Sequence, residues 1–345
     1  MNLHIFTTAA FAILPIMLLM SLGYFLRQKG YLTPAFLAQG NKLVFRLFLP
    51  ALLFANVYDI ESFSQIPWDI VIFSLAIGLG LCLLGMGIGL ASTKIPERRG
   101  VIAQSVFRAN MAVVGLPLAS FLGGEEATAV ASVISAFIIA LFNILAVIVL
   151  TVFLDSDSGV KIRPGKILRD IITNPPVIGI LLGFGCMLLR SVQSQIWGSP
   201  VFTIREDLPF LYTTISHLRN VLTPFALLIL GGQFSFSAIG NMRKELAVGV
   251  FCRLILAPVL GLSLAVFLSA KGIIHCGNAE FPALIALLGS PVAVGSETMA
   301  GQMGNDEQLA TQLVVWSSIL SIFTLYFAVC ALIALGLIST GPLPF

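Results

Sequence analysis

The sequence predicts an all-α integral membrane protein of ten transmembrane helices, arranged as two inverted five-helix repeats. Three observations predict it. Of the 345 residues, 58% are hydrophobic and only 10% are charged, against about 25% charged in a soluble domain, and the mean hydropathy is +1.01. Ten stretches approach the roughly 20 apolar residues that cross a bilayer. The prolines, glycines and acids that punctuate the first five stretches return, in the same order, in the last five.

The ten spans run approximately over 3–26, 43–58, 68–91, 101–122, 126–153, 172–195, 214–235, 246–270, 280–303 and 308–338. The first lacks a basic leader and a small-residue cleavage site, and is expected to remain as a helix. The second is short, but Phe45 to Val57 is strongly apolar and Arg46 can snorkel to the near interface. The fourth and ninth each end at a glycine-acid turn, Gly123-Gly124-Glu125-Glu126 and Gly304-Asn305-Asp306-Glu307, and a similar long span follows each. The sixth opens on Asn174-Pro175-Pro176, which reads as an N-cap followed by proline in the first turn. Arg219 and Arg253 lie near span ends and are expected to act as interface anchors.

Lysine and arginine concentrate in alternate loops. Those after spans one, three, five and seven hold Arg27, Lys29 and Lys42; Lys94, Arg98 and Arg99; Lys161, Arg163, Lys166 and Arg169; and Arg243 and Lys244. The opposite loops hold only Arg190, Arg205 and Lys271. By the positive-inside rule the first set is cytoplasmic and both termini lie outside, as expected of a multi-pass protein of the bacterial inner (cell) membrane.

The two halves match in detail. The same spacing separates Pro15 from Gly23 in the first span and Pro175 from Gly183 in the sixth. The second span reads Leu49-Pro50-Ala51-Leu52-Leu53 behind Arg46, and the seventh Thr223-Pro224-Phe225-Ala226-Leu227-Leu228 behind Arg219. The expected organisation is a first repeat over 1–153, a cytoplasmic linker over 154–170 and a second repeat over 171–345. Five spans is an odd number, so the second repeat enters the membrane upside-down, and inverted repeats place a binding site at their shared interface near the midplane.

The run Leu287-Leu288-Gly289-Ser290-Pro291-Val292-Ala293-Val294-Gly295-Ser296-Glu297 sits inside the ninth span. Proline lacks an N–H and clashes with the preceding turn, so the helix breaks there. Broken backbone at membrane depth must face protein or a water-filled cavity, and secondary transporters hold their substrates at such breaks. Matching the two glycine-acid turns sets Ala109-Asn110 of span four against Pro291-Val292 of span nine. Two facing breaks, one per repeat, are therefore expected.

Several longer motifs carry a family resemblance: Ile13-Leu14-Pro15 through Gly23-Tyr24, Phe48-Leu49-Pro50-Ala51-Leu52-Leu53-Phe54, Asn110 to Gly115-Leu116-Pro117, Asn174-Pro175-Pro176 with Gly183, Pro224 to Gly231, and Pro291 with Gly304-Asn305. Together these resemble the auxin efflux carrier family, which includes plant PIN-type auxin exporters and bacterial permeases for small organic acids. The resemblance implies a fold similar to bile-acid/sodium symporters and sodium/proton antiporters, with helices four and nine interrupted and crossing at the centre. It also implies a binding site beside that crossing, at positions matching Leu53, Ala55, Asn110, Asn174 and Val294. Plant members carry a proline just before the span-four asparagine and a long central loop. This chain has Arg108-Ala109-Asn110 and a short linker, and so resembles a bacterial member, for which a dicarboxylate such as malate or malonate is the expected substrate, with a monocarboxylate as the alternative.

The residues at the breaks suit an anion. Asn110 must hydrogen-bond inside the membrane, either as glue between helices or as a donor to a substrate carboxylate. Arg108 is a cation at depth, costly unless paired, hydrated or snorkelling, and able to hold a carboxylate bidentately. Ser290 and Pro291 at the break are further candidate contacts. Glu297 is the one carboxylate placed inside a span, with three uses open: an ion pair with a buried arginine such as Arg108, proton carriage, or contact with a coupling cation. Cys82, Cys186, Cys252, Cys276 and Cys330 are scattered singly, and His4, His217 and His275 are dispersed. No metal or redox cluster is expected, and no nucleophile–base set that would make an enzyme.

The expected function is a secondary active transporter that moves a small organic anion by alternating access. The alternative is a transporter-like receptor or sensor that binds the anion without flux. A channel would need a continuous polar stripe, and these spans offer few. No cofactor and no nucleic-acid partner are expected. A coupling ion, H+ or Na+, and a homodimer stand open.

Overall fold

The computed structural model describes residues 2–59, 67–158, 169, 172–173, 175–234 and 240–338. Over these residues the protein is helical, and the one β contact is an isolated antiparallel bridge between Ala109 and Val292. Seven segments among the described residues are long and apolar enough to cross a membrane: Pro34–Tyr58, Trp68–Ser92, Met111–Leu154, Val177–Trp197, Pro209–Gln233, Gly240–Ala270 and Glu307–Ala334. A further helix, α1 (Asn2–Gln28), spans 27 residues.

The expected fourth and ninth spans are not continuous. Helix α5 (Pro96–Phe107) stops before Arg108, and the chain resumes as a π-helical turn over Met111–Gly115 leading into α6 (Leu116–Ser158). Within α6 the helix breaks at Gly123 (φ −137°, ψ 16°) and Gly124 (φ 64°, ψ −150°), at the glycine-acid turn read from the sequence. The second conformation is one that side chains with a Cβ rarely adopt. In the ninth span, α12 (Glu280–Gly289) and α13 (Gly295–Gln302) flank the Pro291 break, so neither half alone reaches membrane length.

Two expected boundaries are corrected. The second span begins at Pro34, not near residue 43: Thr33 Oγ1 accepts from the Phe36 N–H (3.2 Å), and Pro34 fits the first turn, where its missing donor costs nothing. From there α2 (Pro34–Leu43) passes through a π-helical turn, Val44–Phe48, into α3 (Leu49–Tyr58). At the other end of the first repeat, α6 stays helical through Ser158, inside the stretch read as linker.

The remaining helices are α4 (Trp68–Ser92), α7 (Pro175–Trp197), the short α8 (Ile204–Asp207), α9 (Pro209–Gln233), α10 (Arg243–Phe251), α11 (Ala257–Ala270) and α14 (Glu307–Ala334), with a π-helical turn, Cys252–Leu256, joining α10 to α11. They pack as two groups. In one, α1 lies on α9, α3 on α7, and α9 against α3. In the other, α4, α5 and α6 pack on one another and carry α10, α12, α13 and α14. Glycines set the closest approach in the first group: a Cβ on Gly23 would collide with the Leu228 carbonyl, and one on Gly231 with that of Met20.

Ion pairs reinforce each group separately. Asp59, at the end of α3, accepts from Arg205 and Arg219 (each 2.8 Å) and from the Tyr212 hydroxyl (2.8 Å). Arg98, in the first turn of α5, joins Asp306 (2.8 Å) and Glu245 (3.1 Å). Arg219, well inside α9 rather than at its end, thus ties that helix to the end of α3.

Candidate functional site

Each broken strand of backbone completes the other. Asn110 N–H donates to the Pro291 carbonyl (2.8 Å), Ala293 N–H donates to the Arg108 carbonyl (3.0 Å), and the Ala109–Val292 bridge lies between them. Val292 N–H, on the far edge, donates to Ser317 Oγ of α14 (3.0 Å). Backbone groups freed by a break in the membrane must find partners inside the protein, and here the two breaks partner each other through two of these bonds.

A helix also leaves its last carbonyls without partners. At this crossing two helices end, and a single side chain serves both. Arg253 Nε donates to the Ser290 carbonyl (2.8 Å), Nη2 to those of Leu287 (2.9 Å) and Leu288 (2.6 Å), and Nη1 to those of Val106 (3.1 Å) and Phe107 (3.3 Å). The expectation that Arg253 anchors an interface is corrected: it is 0% exposed. The negative ends of the α5 and α12 dipoles supply the charge that an acidic partner would otherwise bring.

On the other side of the breaks lies a cavity of about 60 Å³. Its polar lining is Arg108, Asn110 and Asn143 from one helix group with Thr298 at the start of α13, and Asn41 from the other group. Phe45, Leu49, Ile139, Phe142, Leu222 and Val294 supply apolar walls. The N-terminal ends of both resumed helices, at Met111 and Gly295, face it, so two positive dipole ends converge there.

Arg108 is 5% exposed. Its Nη2 donates to Asn143 Oδ1 (2.8 Å), and Nη1 to Gln104 Oε1 (3.3 Å) and the Gly295 carbonyl (3.4 Å), all neutral acceptors. The ion pair with Glu297, one of the three uses open to that carboxylate, is not formed: none of the ion pairs among the described residues contains either residue. Helix α5 begins at Pro96, so Arg108 lies about 18 Å along its axis at 1.5 Å per residue. Asn110 is 3% exposed, and its Nδ2 has no partner.

Of the other nominated residues that the structure describes, Val294 alone lines this cavity. Leu53 and Ala55 are fully buried, Leu53 against Val57, Ala136 and Ile180. Ser290 Oγ donates to the Ala286 carbonyl, and Pro291 contributes its own carbonyl to Asn110. Asn174 lies outside the described residues. Span two lines the cavity with Asn41, Val44, Phe45 and Leu49; Asn41, Phe45 and Leu49 recur every fourth position and so share one helix face, and a span start at 43 leaves Asn41 out of it. Asn143 and Gln104 had a readable signal, an amide alone in an apolar span.

Two larger cavities carry polar and charged linings. The first, about 430 Å³, is lined in part by Arg27, Lys42, Gln233, Glu297, Glu307 and Thr311, and shares Asn41 and Thr298 with the central cavity. The second, about 480 Å³, is lined by Asn56, Asp59, Glu125 and neighbouring α6 residues, and shares none of its lining with the central cavity. Asn56 Nδ2 donates to Ser135 Oγ (3.4 Å) across the helix groups on that side.

A family model described as "Membrane transport protein" matches residues 8–329. An uncharacterized transporter of Methanocaldococcus jannaschii is 25% identical over 276 residues, covering 76% of this chain and 80% of its own length. A second uncharacterized transporter, from Methanothermobacter thermautotrophicus, is 21% identical over 331 residues, covering 93% and 97%.

Proposed function

The chain belongs to the membrane transport protein family, the auxin efflux carrier-like family its motifs resemble, and from that premise we propose that it is a secondary carrier of small organic anions. The observation that carries the reading is Arg108: a buried guanidinium with only neutral acceptors, beside the unpartnered Asn110 amide, on a cavity that two helix N-termini face. An arginine of this kind is poised for a carboxylate, and the amide gives it direction. The cavity is small. A water needs about 10–15 Å³ of such space, so about 60 Å³ suits a ligand of a few heavy atoms, in keeping with malonate or malate.

The two helix groups support alternating access. They meet along the cavities, and among the described residues no ion pair joins one group to the other; His275, in the α11–α12 loop, pairs with Asp69 at the start of α4. Rocking one group against the other then breaks apolar contact and few polar ones. On this reading the chain is ten spans in two inverted repeats, 1–153 and 171–345, joined by 154–170. It sits in the cell membrane with both termini outside, and the Arg27–Lys42 vestibule opens to the cytoplasm.

The test is uptake of labelled malonate and malate into liposomes containing the purified protein. Saturable uptake above protein-free liposomes is the expected result. Binding without flux would favour a sensor, and neither binding nor flux of any organic anion would overturn the reading.

A further inference from the structure

Glu297 is 5% exposed, and its Oε2 has no hydrogen-bond partner and no cation. An ionised carboxylate left this way is costly, since a buried charge needs a partner or must be neutralised. The second acid is close by. Gly301 lies one helical turn beyond Glu297, on the same face, and a Cβ there would come within 2.7 Å of the Glu307 carboxyl carbon. The bare glycine therefore lets the Glu307 carboxylate lie against α13, next to Glu297, while Glu307 itself stays exposed to the vestibule. Thr311, whose hydroxyl donates to the Glu307 carbonyl (2.9 Å), lines the same vestibule as both acids.

We infer that Glu297 and Glu307 form a proton relay in the vestibule, so that a proton enters at exposed Glu307, rests on buried Glu297 and travels with the anion. The inference rests on the carrier reading above. Helices α1 and α2 bring Arg27 and Lys42 into the same vestibule, and α9 brings the uncharged Gln233. Arg27 is also engaged with the Gly232 carbonyl at 2.9 Å. Thr298, next to Glu297 in sequence, lines both cavities. A charged Glu297 therefore opposes an anion beside Arg108 and a neutral one admits it; binding of either ligand must then favour the other.

Two measurements test this separately from the carrier reading. The first needs no flux: infrared spectra of purified protein across a pH titration. Wild type is expected to show a protonated-carboxyl band that Glu297→Gln loses and Glu307→Gln leaves in place but slows in exchange. Identical titration of wild type and Glu297→Gln overturns the relay whether or not the protein transports. The second uses liposomes loaded with a pH dye and given external malonate. The expected result is lumen acidification in step with malonate uptake, lost in Glu297→Gln together with the pH response of uptake. Malonate uptake driven by Na+ without acidification overturns the proton. Absence of malonate uptake by wild type strikes the carrier reading, and the infrared band still judges the relay.

Discussion

The backbone N–H of Asn110 donates to the carbonyl of Pro291 across 2.8 Å, joining two helix breaks that lie far apart in the chain. Proline forces its own helix to break, but nothing local forces the break at Asn110. That break persists because the strand opposite supplies its hydrogen bonds, and because Arg253 holds the carbonyls that both helices leave behind.

Arg253 is therefore expected to govern stability more than substrate handling. Arg253→Met strands several buried carbonyls, each worth about 1–3 kcal/mol when left unpaired, and should lower the thermal midpoint of the detergent-purified protein sharply. Arg253→Lys should fall between, since an ammonium carries fewer donors and no planar fork. An Arg253→Met protein that melts with wild type would remove the cap from this account.

Arg108 and Asn110 should act on the anion instead. Arg108→Gln keeps an amide near Asn143 while deleting the charge; losing a charge-assisted hydrogen bond of about 1.5–3 kcal/mol weakens malonate uptake roughly ten- to hundredfold. Asn110→Asp places a negative charge where an amide donor stood and should abolish uptake, with Asn110→Ala milder. Wild-type uptake by all three, at equal protein level, would move the site elsewhere.

Close approach of α1 and α9 depends on bare backbone at Gly231. Gly231→Val should push the helices apart, at a cost of about 1–3 kcal/mol or more for overpacking, and is read out as a lower melting midpoint. Gly87, with open space around it, is the control: Gly87→Val should leave packing alone.

Thr298 lines both the central cavity and the vestibule. In a background with the five native cysteines replaced, Thr298→Cys should react with an impermeant thiol reagent from the Arg27–Lys42 face, and malonate should protect it. Labelling from the opposite face alone would reverse the orientation read from lysine and arginine.

Much of the architecture was legible in advance because hydropathy and proline act locally. The Pro291 break, the Gly123-Gly124 turn and the polar residues at Arg108 and Asn110 each declare themselves within a few neighbouring residues. Span two shows where that legibility fails: its start depended on the Thr33–Pro34 cap, a weak signal beside the apolar run after it, and the misplaced start hid Asn41.

By itself, then, the sequence determined that this chain crosses a membrane repeatedly and breaks a helix at Pro291, since the bilayer and the proline ring impose those outcomes on any fold. Only the tertiary structure decided who meets whom. It assigned Arg253 to the carbonyls at the ends of α5 and α12 rather than to an interface, kept Arg108 apart from Glu297, and set Glu307 against Gly301. The physical reason is that a buried charge is satisfied by whichever partners folding brings within hydrogen-bond reach, and those come from segments remote in sequence.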